Sequence, residues 1–495
     1  MPSPDEPHLP GRTVRLSAPP HFRLLDLGAI ADVVTTNGAE RQMTTVYLDT
    51  ADLRLVRWGA VLRHRAGEGW TVRPPAIGGH RHPDVHLPGD ASAPPKEALE
   101  LLTAVVRTAR LRPVARLRTV RRLLTLTTHD GSPLAEIDDD EVTVLDGRRV
   151  AGRFREVDVD VVDGAPAELL EGILERLHAA GCGVVDPTPK LVHALGARAL
   201  EPPEVVVADL GRGVAAHAVV GRAVAAAAVR LLERDPGLRT AQEPEDVHQA
   251  RVATRRLRSD LRTLAPLVDA EEAATLRAEL AWLADELGAV RDAEVMRDRL
   301  RGGAAALGGS DAAAGLRITA ALDGTVTAAR RELARALRSD RYVGLLDLLV
   351  GWAADPPLTV AADRPAVEVL PDLVTLAFRQ LQRDVRRLGD EPEDEALHQV
   401  RIRAKRVRYA AEATAPVLGR RVAAVGRAAA GLQEVLGDFH DAIVAADWLR
   451  AHGTAGHDAF AAGRLCEAEM AIVRERRTQW PAAWKRLRKE WAAWT

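Results

Sequence analysis

Glu243-Pro244-Glu245-Asp246 leads into His248-Gln249-Ala250-Arg251, with Arg255, Arg256 and Arg258 following. The pattern returns 150 positions on, where Glu391-Pro392-Glu393-Asp394 leads into His398-Gln399-Val400-Arg401, with Lys405, Arg406 and Arg408 following. Acidic residues with a nearby proline mark a helix start, because the proline needs no N–H partner there and carboxylates favour the positive end of the helix dipole. Offsets of 0, 3, 7 and 10 fall on one helical face, so His248, Arg251, Arg255 and Arg258 form one stripe. His398, Arg401, Lys405 and Arg408 form its twin. Neither stripe contains an acid, and like charges at this spacing repel unless an anion neutralises them. The stripe spans on the order of 15 Å at the helical rise of about 1.5 Å per residue, and two such stripes on paired helices suggest a site for a polyanion.

The rest of the chain divides by periodicity. Short β-branched runs fill the first 200 residues: 44–48, 60–65, 70–73, 121–128, 134–138, 141–145 and 154–162 read as strands. A Pro/Gly/His loop covers 74–95, and 167–180 reads as a helix. Beyond Gly211, Ala/Leu/Arg segments take over, with helices expected at 212–234, 244–265, 270–299, 311–338, 341–353, 367–387, 393–415, 420–449 and 455–478, then a basic Trp-containing segment at 480–494. Glu201-Pro202-Pro203 marks a linker, and Asp355-Pro356-Pro357 to Pro365 separates two helical halves. A second echo, Leu287-Gly288-Ala289-Val290-Arg291-Asp292 against Leu436-Gly437-Asp438-Phe439-His440-Asp441, supports internal duplication. Asp292 and Asp441 are expected to orient arginines across helices.

A formal net charge of -2 rules out strong whole-molecule attraction to nucleic acid, so any anion binding is local. Two cysteines, Cys182 and Cys466, are too few for a disulfide framework or a thiolate metal site. The first 20 residues lack a signal-type apolar core, and no run of about 18 apolar residues occurs. The expectation is a cytoplasmic protein without a membrane partner.

The His-x-x-Arg helices and Leu-Gly-x-x-Arg/His-Asp echoes resemble the conserved-histidine α-helical domain, CHAD, over roughly residues 205–495. The resemblance implies two pseudo-symmetric four-helix bundles, here about 212–353 and 366–495, that bind inorganic polyphosphate without a cofactor. It nominates His248, Arg251, Arg255, Arg258, His398, Arg401, Lys405 and Arg408 as contacts, with Arg256, Arg262 and Arg406 beside them. Association with polyphosphate granules follows from the same reading.

Tyr47-Leu48-Asp49-Thr50, Gly59-Ala60-Val61-Leu62-Arg63-His64-Arg65 and Trp70-Thr71-Val72-Arg73 resemble the CYTH domain of triphosphate tunnel metalloenzymes, within residues 1–200. The fold expected for the whole is therefore two-domain α+β, an antiparallel β-barrel or tunnel followed by an all-α domain. The tunnel resemblance implies anion contacts from Arg15, Arg63, Arg65, Arg73, Arg116, Arg118 and Lys190. It implies Mg²⁺ or Mn²⁺ ligands from Glu136, Asp138, Glu156, Asp158 and Asp160. The family opens on Glu-x-Glu-x-Lys, whereas Gly11-Arg12-Thr13-Val14-Arg15-Leu16 lacks both glutamates, so a degenerate tunnel is expected.

Three functions compete. Noncatalytic polyphosphate binding leads. A metal-dependent triphosphatase or polyphosphatase in the first 200 residues is the alternative. Nucleic-acid binding through Trp484, Lys485, Arg486, Arg488, Lys489 and Trp491 comes third, because amphipathic packing explains the tryptophans as well as base stacking does.

Overall fold

The computed structural model describes residues 11–24, 33–76, 82–240, 243–453 and 456–495. The chain forms two compact units, Met1–Pro203 and Glu204–Thr495. Parts of the expected 74–95 loop and of the helix expected from 455 lie outside the described residues, as do the first ten positions.

The first unit is built on nine antiparallel strands: β1 (Gly11–Ala18), β2 (Val34–Asn37), β3 (Arg41–Asp49), β4 (Val61–Arg65), β5 (Gly69–Arg73), β6 (Val85–Leu87), β7 (Arg112–Thr127), β8 (Pro133–Asp146) and β9 (Arg149–Val162). The ladder runs β1-β9-β8-β7-β3-β4-β5-β6, with β2 also on β7. Among the described strands β6 does not pair back to β1, so the closed barrel expected from the sequence is instead an open ladder. Five short helices accompany it: α1 (Arg54–Arg57), α2 (Lys96–Leu101), α3 (Thr103–Val106), α4 (Ala167–Ala179) and α5 (Lys190–Leu195). Asp49 ends β3 and accepts hydrogen bonds from the backbone N–H groups of Thr50, Leu55 and Val56 at 2.7, 2.8 and 3.0 Å, which explains the buried carboxylate of Tyr47-Leu48-Asp49-Thr50.

The strands expected at 134–138 and 141–145 are one strand, β8, which runs on through Asp139-Asp140. Both lie buried in a continuous strand. Arg155 holds Asp139 through two bonds of 2.7 and 2.6 Å, while Arg121 holds Asp140 through bonds of 2.9 and 2.8 Å. Buried carboxylates are tolerated when paired in this way. Strand alternation then sorts the faces. Leu124, Leu126, Ala135, Ile137, Val157 and Val159 pack beneath Leu169, Ile173 and Leu177 of α4. The intervening residues face a cavity on the other side.

The second unit is helical: α6 (Ala216–Thr240), α7 (Pro244–Thr263), α8 (Ala270–Leu307), α9 (Gly309–Thr319), α10 (Ala321–Leu337), α11 (Asp340–Ala354), α12 (Ala366–Arg386), α13 (Asp394–Leu418), α14 (Arg420–His452) and α15 (Gly456–Trp494). Three helices outrun their predicted ends through prolines, at Pro236 in α6, Pro416 in α13 and Pro481 in α15. Proline removes one backbone bond, yet packing along the helix holds the axis. The helix expected at 311–338 is two, divided between Thr319 and Ala321.

The helices pack in sequence-near pairs, α6 on α7, α7 on α8, α8 on α10, then α12 on α13, α13 on α14 and α14 on α15. In the second set Val374, Phe378, Leu397, Val400, Leu432 and Phe439 belong to one core. Burial of such side chains contributes roughly 1.5–3 kcal/mol each. Between the sets, α7 packs on α13. That contact brings the two cationic stripes together.

Candidate functional site

On α7, Val247, Ala250, Ala253, Leu257 and Leu261 are buried, and the basic residues fall between them. On α13 the same spacing buries Leu397, Val400, Ala404 and Val407. Both helices therefore present cations beside the apolar seam rather than opposite it. Arg255, Arg258, Ser259 and Arg262 of α7 close around a cavity of about 160 Å³ with Ile402, Lys405 and Arg406 of α13. Five of these seven residues are basic and none is acidic.

The electrostatics of this cavity are those of crowded cations. Burial and the charges of Arg255, Arg401, Arg251 and Arg408 push the Lys405 ammonium down to about 6. Burial and the neighbours Arg251 and Arg401 lower Arg255. Arg262 is lowered by burial, Arg258 and Arg277, and Arg406 by burial, Arg403 and Arg262. Among the described residues no carboxylate pairs with Arg255, Arg258, Arg262 or Arg406. The hydroxyl of Ser259 and Nε of Arg406 are buried there without a hydrogen-bond partner. Buried polar groups are normally satisfied, so these donors lack an acceptor that the chain itself does not supply.

The remaining stripe residues are distributed differently. Arg251 makes a two-pronged ion pair with Asp292, at 2.6 and 3.2 Å, matching the orienting role expected of that aspartate. Arg401 lies within the electrostatic reach of Asp441 and Asp292, although burial is the larger influence and lowers it. Glu412 takes Arg408 at 2.8 Å and Arg256 at 3.2 Å. Those two arginines, expected among the anion contacts, thereby share one carboxylate. His248 and His398 sit toward the helix starts and do not line the cavity. His398 shares a 3.3 Å Nδ1 to Nδ1 contact with His440, which requires one ring to donate and the other to accept. Burial and Arg401 lower both of these rings, and burial with Arg291 and Arg251 lowers His248, so all three are predominantly neutral at pH 7. The His440-Asp441 pair gathers no further metal-type ligands, since the group of at least three among the described residues is elsewhere.

That group lies in the first unit, against a cavity of about 560 Å³. Register places Glu136 opposite Asp160, Asp138 opposite Asp158, and Asp140 opposite Glu156 across β8 and β9. Directly opposed like charges destabilise a sheet. Lys190, at the start of α5, relieves them with Nζ at 2.6 Å from Glu156, 2.8 Å from Asp140 and 3.4 Å from Asp158. Arg15 adds contacts of 2.6 Å to Asp158 and 3.3 Å to Glu156, and Arg121 adds 2.6 Å to Asp138. Burial opposes the charge on Lys190, but Asp140, Asp158 and Glu156 raise its basicity. The tunnel resemblance assigns Lys190 to a bound anion. Lys190 lines the cavity and is at the same time the counter-ion of three carboxylates. Oxygens of Asp140, Glu156 and Asp158 lie within 4.8 Å of one another, a spacing that could hold a metal ion.

Other tunnel residues divide by strand parity. Arg15, Arg63, Arg65 and Arg73 line the cavity together with Glu136, Asp138, Asp158 and Asp160. Arg65 is paired with Glu68 at 2.9 Å, and Arg73 with Asp84 at 2.8 Å. Arg116 and Arg118 are exposed on the opposite face, because Leu117, Thr119 and Arg121 are the residues of β7 that point inward. Arg121, Arg41 and Asp140 are cavity residues that the sequence motifs do not flag. Counting in twos from Leu117 would find Arg121.

The basic C-terminal segment is part of α15. Trp491 stacks on Phe378 at 3.9 Å with rings 1° from parallel, Trp484 lies 5.8 Å from the same ring, and both pack against the core. These indoles are engaged within the protein, which removes the base-stacking argument for nucleic acid. No helix among the described residues is long and apolar enough to cross a membrane.

Comparison with known proteins agrees with the helical reading. A family model described as the CHAD domain matches residues 222–450. The chain is 33% identical over 497 aligned positions to the uncharacterized protein Rv2226 of Mycobacterium tuberculosis strain H37Rv, with 93% of each chain covered. Similarity to the uncharacterized protein MT2285 of M. tuberculosis strain CDC 1551 has the same identity and coverage. Among solved structures, PptA from Streptomyces chartreusis is 25% identical with a TM-score of 0.46, covering 55% of this chain and 100% of that one. The CHAD domain from the plant Ricinus communis is 25% identical with a TM-score of 0.43, covering 57% of this chain and 95% of that one. With duplicated His-x-x-Arg helices packed face to face, a matching family model and a relative similar along almost its whole length, the chain belongs to the CHAD-domain family.

Proposed function

We propose that the protein binds inorganic polyphosphate, without hydrolysing it, between α7 and α13 of the helical unit, and associates with polyphosphate granules in the cytoplasm. The observation that carries this is the cavity lined by Arg255, Arg258, Arg262, Lys405 and Arg406, which contains no acid. Linked phosphates offer only oxygen acceptors and negative charge, so an array of guanidinium donors is sufficient to hold them. The CHAD family is linked to polyphosphate binding in general, which supports the same ligand. Duplication of the stripe helices supports a pair of related bundles as the frame of the site. The cavity lining consists of cations, one hydroxyl and one aliphatic side chain, so binding is the function these residues support.

The first unit reads as a degenerate tunnel of CYTH type. Its opening strand lacks the family's glutamates, and Lys190 and Arg15 engage Asp140, Glu156 and Asp158. A hydrolase that relies on those carboxylates for a divalent ion is disfavoured.

The test is a titration of the full chain with long-chain polyphosphate at two salt concentrations. Arg255→Glu combined with Lys405→Glu should weaken binding by roughly 100-fold or more at low salt, and make the salt dependence shallower by about 0.7 for each phosphate no longer neutralised. A natively folded double variant that binds as the unaltered protein does would reject this site. Unaltered protein that does not bind at low salt would reject the function.

A further inference from the structure

The repeat is not charge-symmetric. Moving 150 positions along the chain takes Arg255 to Lys405, Arg256 to Arg406 and Arg258 to Arg408, preserving charge each time, but takes Arg262 to Glu412. The consequence is spatial. On one side of the α7 and α13 contact, Arg258 and Arg262 of α7 meet Arg406 of α13 around the acid-free cavity. On the corresponding side, Arg408 and Glu412 of α13 meet Arg256 of α7, and Glu412 bridges them at 2.8 and 3.2 Å. The neighbouring cavity, about 260 Å³, is lined by two acids, Asp260 and Glu412, with Arg222, Arg230 and Arg256, so unlike the first it mixes both signs of charge. Asp260 is fully buried, and burial pushes its carboxyl up to about 7 against the pull of Arg256.

From this asymmetry we infer that Glu412 is a specificity-determining stop: it closes one end of the cationic row, so that the site takes an oligophosphate segment from the Arg262 side and does not thread a long chain through both ends. The inference rests on the polyphosphate reading and deepens it. A chain continuing past Lys405 toward Arg408 would have to displace a carboxylate from two guanidinium groups. The same chain extended toward Arg262 meets cations that, among the described residues, have no paired carboxylate. The two ends of one helix pair therefore differ in what a phosphate gains there, through Glu412 and the buried Asp260 beside it.

The charge state of the surrounding arginines agrees with this division. Burial opposes the charge of Arg408, but the hydrogen bond and charge of Glu412 raise it. Arg262 and Arg406 instead move down, through burial and neighbouring cations. One end carries a carboxylate among its cations and the other does not.

The experiment compares tripolyphosphate with long-chain polyphosphate on the full chain, using Glu412→Gln, which keeps the shape and removes the charge. Long-chain affinity should rise roughly tenfold at low salt, with a salt dependence steeper by about 1.4 for two newly freed guanidinium groups. Tripolyphosphate affinity should change less than about twofold, because its phosphates are held at the other end. Equal affinity gains for both ligands, or none for either, would overturn the inference, as would weaker long-chain binding with an unchanged circular dichroism spectrum. If E412Q does not fold, Arg262→Glu puts an acid at the equivalent open position and should weaken both ligands. Unchanged binding in R262E overturns the inference as well. Failure of the unaltered protein to bind either ligand would instead reject the underlying polyphosphate reading, so the two failures are distinct.

Discussion

Lys405 offers the sharpest test of the cationic cavity, because its proton reports the local field. In the folded protein, burial and four arginines hold it at about 6, against an ordinary value of 10.5. At pH 8 it is therefore about 99% neutral. A phosphate chain beside it restores the charge, so binding takes up a proton wherever the pH lies above about 6. Linkage fixes the sign: affinity is fullest below pH 6 and declines as pH rises, reaching a limiting slope of about tenfold per pH unit. Between pH 6 and pH 8 affinity should fall on the order of 50-fold, with close to one proton absorbed per site at pH 8. The groups facing Lys405 are Arg251 and Arg255 from α7 and Arg401, Arg408 and Tyr409 from its own helix, none of which changes charge in this window. Burial and neighbouring arginines shift His248, His398 and His440 downward, away from pH 8. Isothermal titration in buffers of different ionisation enthalpy, with a chain long enough to make terminal phosphates negligible, counts the protons directly. Lys405→Arg keeps its charge throughout and should bind with little pH dependence. Retained tight binding at pH 8 with no proton uptake would refute the reasoning, because the ligand would then be ignoring the most strongly perturbed cation of the site.

Stability gives an independent reading of the same residue. The folded-state value lies below the unfolded one, so the cost of Lys405 is absent above about pH 10.5 and grows as pH falls toward 6; about 1.36 kcal/mol per tenfold step caps it near 6 kcal/mol, and solvent access reduces that to a few. Lys405→Met should accordingly raise the melting temperature at pH 6 and leave it nearly unchanged at pH 10. In the first unit, Lys190→Ala leaves Asp140, Glu156 and Asp158 without their shared counter-ion and should cost about 3–5 kcal/mol in denaturant unfolding. Millimolar Mg²⁺ should recover part of that stability in the variant while leaving the unaltered protein's melting temperature where it is; an equal Mg²⁺ shift in both would show that Lys190 does not block the carboxylates. Phe378→Ala removes the ring on which Trp491 stacks and should destabilise the helical unit by about 3–5 kcal/mol, seen together with a change in tryptophan fluorescence.

Much of this molecule is legible in the order of its residues. Helical and strand periods are local properties of the chain, so the repeat at His248 and His398, the stripes themselves and the change from strands to helices can be read by counting. Misreadings arise where distant partners intervene. The expected strand pattern lapses at Asp139-Asp140 because the partners that let these acids be buried, Arg155 and Arg121, lie on other strands. Pro236 and Pro481 look like helix ends because the packing that carries the axis through them comes from elsewhere in the unit.

What only the tertiary structure decided is which charges are committed. Lys190 and Arg258 are both cations in suggestive patterns, yet one is bound by three carboxylates and the other lines a cavity with none. Nothing in the spacing of a stripe reveals that Glu412 reaches Arg256 across from another helix, although the swap of Arg262 for Glu412 is visible in the repeat. The sequence by itself determined where the positive side chains stand along each helix, since that is set by about 3.6 residues per turn. Their availability depended on partners distant in sequence, because electrostatic neutralisation acts through space and is settled only when the helices pack.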